Sequence, residues 1–183
     1  MPAEPGSFVT GSSPSTRAWP TAIALALVAT ATNLRAQDTR TFQVESGTVR
    51  VIAVGHDSDH VLVIGPSGDV VSDSWCSGAG MRYDDTVRFF TEFQRRLAKG
   101  DRAGVTRMLS FPLRVYRPRL LQIRTAAEMT RRFDEVLTPP AIEKVKNADP
   151  RLAFCNWRGT MLGSGVVWAD VRGGHLAVIA VNQ

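Results

Sequence analysis

At 183 residues, with a net charge of +5 and two cysteines, the chain fits one domain. That length buries a proper core without staples, and two cysteines make no zinc-binding pattern. A glycine-rich phosphate loop and a serine nucleophile elbow are likewise missing.

A polar stretch with one base, Arg17, precedes an apolar run from Ala18 to Ala31. The run is shorter than the roughly 20 residues of a membrane span. Leu34-Arg35-Ala36 before Gln37-Asp38 makes a cleavage site, so residues 1–36 read as a signal peptide. The alternative is an uncleaved N-terminal anchor. The expected location is outside the cytoplasm, periplasmic or extracellular, with no transmembrane segment after cleavage. Removing Glu4, Arg17 and Arg35 with the leader leaves a net charge of +4. Asp38–Asp85 holds eight acids against Arg40, Arg50 and Arg82, whereas Thr86–Arg132 holds twelve bases against Glu92, Asp101 and Glu128. Such polarity fits an anionic lipid, surface polysaccharide or nucleic acid, or simply well-solvated helix faces. For an exported chain no nucleic-acid partner is expected.

Residues 37–80 read as a β-rich extension. Thr41–Val44, Thr48–Val54, His60–Ile64 and Val70–Ser72 are short β-prone runs. Ser46-Gly47, His56-Asp57-Ser58-Asp59 and Pro66-Ser67-Gly68 have turn composition. His56, Asp57, Asp59 and His60 would be the ligands of a metal site. Adjacent strand residues point apart, however, and metal sites draw ligands from distant segments. A turn is therefore the plainer reading, and no cofactor is expected. After a signal peptide, Cys76 and Cys155 are best read as one disulfide tying this extension to a later strand. Two buried free thiols are the alternative.

Residues 81–183 carry the main fold. Asp84 or Asp85 can cap a helix running to about Lys99, with Phe89, Phe90, Phe93 and Leu97 on one side. Arg88, Glu92, Arg96 and Lys99 take the other, with Glu92 four residues from Arg88 and from Arg96. Gly100 stops that helix, and Asp101 can cap a shorter one containing Val105, Met108 and Leu109. Phe111–Tyr116 breaks helical phase and predicts a strand, with Leu120–Ile123 pairing behind it. Thr125-Ala126-Ala127-Glu128 is a capping box opening a helix with Met129, Phe133 and Val136 inward. Pro139-Pro140 ends it and starts a short helix through Lys146. Three strands follow, Leu152–Arg158, Gly165–Val171 and His175–Asn182. The fold expected is α+β, with helices packed in the concave face of a curved antiparallel sheet (a cystatin-like cone).

Helix, helix, strand, helix and then a long meander resembles the nuclear transport factor two-like superfamily, the cone of ketosteroid isomerase and SnoaL-like cyclases. The resemblance spans about Tyr83–Asn182, through Phe89-Phe90-Thr91-Glu92-Phe93, Gly100-Asp101, Phe111-Pro112-Leu113-Arg114-Val115 and Asn156 to Trp168. It implies a pocket inside the cone, dimers formed through the sheet and, in the enzymes, acid–base residues lining the cone. Ketosteroid isomerase supplies a hydrogen-bonding Tyr where this first helix offers Phe.

Asp170 and His175 could form an acid–base pair at the mouth, and Tyr116 is a further catalytic candidate; Asp170 and His175 flank Arg172-Gly173-Gly174, where polar turn residues are ordinary. Phe93, Tyr116, Asn156 and Trp168 are the candidate ligand-binding residues. The favoured function is an exported binding module, holding a small apolar ligand in the cone or an envelope protein on the sheet. A cofactor-independent isomerase, dehydratase or cyclase is the alternative, and an envelope-assembly role the third. Leu176–Val181 is apolar at odd and even positions, which predicts cover on both faces. The second cover is either the Thr41–Ser74 meander or, in a homodimer, a second copy.

Overall fold

The computed structural model describes residues 38–53, 59–76 and 80–183. The expected leader, His56 and Asp57 lie outside them. The alternating N-terminal runs form strands β1 (Thr39–Val44), β2 (Gly47–Ala53), β3 (Asp59–Ile64) and β4 (Val70–Trp75). They pair as one antiparallel meander in chain order. Val49, Val51, Val61 and Val63 bury one face of it against Met81, Tyr83 and both cysteines. Gly47 is required in the β1–β2 turn. Its φ is +139°, and a Cβ there would stand 2.1 Å from the Ile64 carbonyl oxygen.

Helix α1 spans Tyr83–Ala98, with Arg82 at the N-cap and no side-chain cap bond. Asp84 and Asp85 therefore lie in the first turn, not at the cap, where their charge still suits the helix dipole. Asp84 holds Arg40 of β1 at 2.7 Å. Asp101 caps α2 (Arg102–Arg107) as expected, accepting from the Gly104 N–H at 2.8 Å. Strands β5 (Leu109–Tyr116) and β6 (Leu121–Ile123) form a hairpin. The single helix expected after Thr125 is two, α3 (Ala126–Arg131) and α4 (Phe133–Val136), because Arg132 leaves helical dihedrals. The Thr125 cap is present, but the reciprocal Glu128 carboxylate accepts from the Arg124 N–H. Helix α5 (Pro139–Lys146) begins on its two prolines.

The terminal segment holds four strands rather than three. They are β7 (Phe154–Asn156), β8 (Gly159–Leu162), β9 (Val167–Arg172) and β10 (His175–Asn182). The expected Leu152–Arg158 strand ends early because Asn156 accepts from the Arg158 N–H at 2.8 Å and turns the chain. The second sheet has the order β6-β5-β10-β9-β8-β7. It is mixed, since β10 runs parallel to β5. Parallel neighbours need a crossover of roughly a dozen or more residues, which the helical segment between β6 and β7 supplies.

Phe90, Phe93, Leu97, Val105, Met129, Phe133, Val136 and Val145 of the helices meet Leu113, Val115, Ile123, Val167, Ala169, Val178 and Val181 of the sheet. Cys76 and Cys155 are bonded, with both residues buried. Among the described residues the meander does not roof the far face of β10, as one of the expected arrangements required. Its cluster takes in Val171 and Leu176, which alternate in phase with Ala169 and Val178 on the helix side.

Candidate functional site

The second sheet's other face is the most informative surface. A register shift between Val178 and Ala180 breaks the alternation of β10. Val178 and Val181 both enter the core, while Ile179, Ala180 and Asn182 border the far face. There they floor a groove of about 600 Å³ with Trp168, Asp170 and Arg172 of β9 and Arg114 and Tyr116 of β5. Trp157 and Arg158, in the β7–β8 turn, close one end. The described lining comes entirely from this sheet's own strands and turns. Ile179 and Ala180 are nonetheless nearly buried, among the large side chains beside them.

Two of these aromatics stand out into solvent: Trp157 is 75% exposed and Tyr116 42%. The Arg158 guanidinium lies 4.6 Å over the Trp157 ring, a cation–π contact that orients both. Asp170 holds Arg172 at 2.9 Å and accepts from the Val171 N–H at 2.8 Å. Arg114 makes no ion pair among the described residues. The groove thus presents three guanidiniums, one carboxylate and three aromatic rings, a set suited to flat or anionic groups.

The structure brings Tyr116, Trp168 and Asp170 together and separates the other sequence candidates. Phe93 is fully buried on the helix side of the sheet. Asn156 shapes the turn that carries Trp157. His175 lines a different cleft, of about 660 Å³, with Asp85, Phe89, Glu92 and Met108. The carboxylates of that cleft are engaged: Asp85 with Arg88, and Glu92 with Arg95 and Arg96. Bonding to Arg95, more than to Arg96, holds Glu92 down at about 2, so it is a weak base at neutral pH. Asp59 and His60 diverge, as neighbours on a strand do. Asp59 is buried, accepts from the Tyr83 N–H at 2.7 Å and pairs with Arg82. His60 bonds Asp73 at 2.8 Å and stacks on Trp75. Among the described residues no group of three or more His, Cys, Asp or Glu converges as a metal site would need.

Sequence reading missed Arg114, Trp157, Arg158 and Arg172 as site residues; of Ile179 and Val181, both read from alternation as facing outward, Ile179 borders the groove and Val181 lies in the core. One signal was available: Asn-Trp-Arg-Gly places a large aromatic in a tight turn, where packing cannot explain it. A larger cleft of about 830 Å³ lies where Glu45 and Ser46 approach Lys144 and the Gly163-Ser164-Gly165 turn. Comparisons with protein-family models, curated proteins and solved structures give no match.

Proposed function

We propose that this is an exported binding module that captures its partner on the open face of the second sheet. One contrast carries the reading. The space between helices and sheet is filled by apolar side chains, whereas the opposite face offers exposed Trp157 and Tyr116 among arginines. An acid–base enzyme of the cone type needs a titratable group facing the interior; among the described residues the buried titratable groups outside the disulfide are Asp59 and Tyr83, and both sit at the meander, Asp59 on the Tyr83 N–H and Arg82, and the Tyr83 hydroxyl on the Arg151 carbonyl. Export is supported by the apolar leader and the buried Cys76–Cys155 bond, since disulfides persist in oxidising compartments. Membership of the nuclear transport factor two-like superfamily is supported by the order of α1, α2, the β5–β6 hairpin, further helices and the terminal meander.

The anionic aromatic dye 8-anilinonaphthalene-1-sulfonate tests groove capture with the full chain. Saturable binding is expected, lost in the Arg114→Ala/Trp157→Ala double variant whose circular dichroism is unchanged. Binding that survives this substitution, or absence of binding to the wild type, overturns the reading.

A further inference from the structure

We infer that the groove's partner is an acidic polysaccharide, a chain of sugar acids carrying both carboxylates and hydroxyls; this rests on the binding-module reading above. The excess of guanidinium over carboxylate selects an anion. Arg114, free of ion pairs among the described residues, and Arg158, held over a ring, can each grip a carboxylate through paired N–H donors. Trp157 and Trp168 supply flat apolar surface for the C–H faces of sugar rings.

Asp170 narrows the choice. Its carboxylate offsets the charge of Arg172 and keeps lone pairs with which to accept from hydroxyl groups. A ligand that alternates carboxylates with hydroxyls satisfies both features; polyglutamate satisfies only the arginines. The backbone points the same way. β9 pairs with β8 and β10, β10 with β9 and β5, and β5 with β10 and β6, so no strand edge is free here for a peptide to extend. A second copy seated on this face would gather six guanidiniums and only two carboxylates, an excess of like charge that disfavours pairing. Single-stranded nucleic acid also suits arginines and rings, but the disulfide points to an oxidising compartment where such chains are not the prevailing polymer.

Isothermal titration of the full chain with oligogalacturonate tests the inference, against neutral dextran oligomers, poly-L-glutamate, oligo-dT and phosphatidylglycerol vesicles. Salt-sensitive binding of oligogalacturonate is expected, with little binding of the others. Trp157→Ala should weaken it about tenfold, the scale of one lost stacking contact. Asp170→Asn should weaken oligogalacturonate while strengthening poly-L-glutamate and oligo-dT. Poly-L-glutamate, oligo-dT, vesicles or neutral dextran binding as tightly as oligogalacturonate overturns the sugar-acid inference, and so does Asp170→Asn strengthening all anions alike. If the dye still binds in the groove while oligogalacturonate does not, this inference alone fails; if neither binds, both readings fail.

Discussion

Replacing Cys76 and Cys155 together by Ala removes the covalent cross-link between the end of the meander and the second sheet. The bond joins residues 79 apart in sequence. Freeing a loop of that length raises the entropy of the unfolded chain enough to cost about 4.5 kcal/mol in the chain-entropy treatment. Native contacts between the two parts survive the substitution: Arg40 still reaches Asp84, Asp59 still accepts from the Tyr83 N–H, and Arg151 still donates to the Gln43 carbonyl. The loss therefore falls mainly on the unfolded state, and the variant stays folded if total stability lies in the usual range of about 5–15 kcal/mol. Urea unfolding of the full chain, followed by circular dichroism, reads the effect. With a slope of about 2 kcal/mol per molar, the midpoint should fall by about 2 M. The slope itself should rise, because an unfolded chain without the cross-link exposes more surface. A midpoint drop below about 0.5 M at unchanged slope would refute the reasoning. It would mean that the unfolded chain keeps these segments together without the bond.

Three further outcomes are expected. Bonding to Arg132, then to Arg117, holds Glu135 at about 2, below its ordinary 4.5, so its contribution to stability is complete above pH 4.5 and lost as pH falls through about 2; Glu135→Gln should lower Tm at pH 7 and lower it much less at pH 2, and equal loss at both pH values contradicts this. Arg95 is half exposed and, among the described residues, pairs with Glu92 alone, whereas Arg96 is less exposed and bridges Glu92 to Asp101, the cap of α2; by urea unfolding, Arg95→Glu should cost less than about 0.5 kcal/mol and Arg96→Glu at least about 1 kcal/mol, the scale of a lost cap. Ile179→Lys should leave the fold intact and alter dye binding, while Val181→Lys, which buries a charge among the helices, should abolish cooperative unfolding; equal tolerance would show that the β10 bulge does not divide the two residues as described.

Local chemistry was legible in the sequence wherever a few neighbouring residues decide the outcome. Asp101 and Thr125 cap helices, Pro139-Pro140 starts one, Phe90 and Phe93 share a buried face, and the two cysteines pair. Each follows from contacts within a turn or from burial of an apolar stripe, and the pairing from an isolated pair of cysteines behind an apparent export signal. A few local expectations failed, the α1 cap, the break at Arg132 and the turn at Asn156; the misses that hid the groove involved parity or partnership between distant strands. Strict alternation sets Val178 with Ala180 and Asn182, and it cannot show a bulge, because the extra residue is defined only by the partner strand. The parallel β5–β10 pairing joins segments separated by three helices, and nothing local to either announces its neighbour. The groove is the consequence of both: Arg114 and Tyr116 come from one side of that pairing, Trp168, Asp170 and Arg172 from the other, and the bulge decides which residues of β10 lie between them. Residue types could therefore nominate Tyr116, Trp168 and Asp170, but only the tertiary structure, by closing the sheet in that order, could gather them on one face and leave Phe93 and His175 elsewhere.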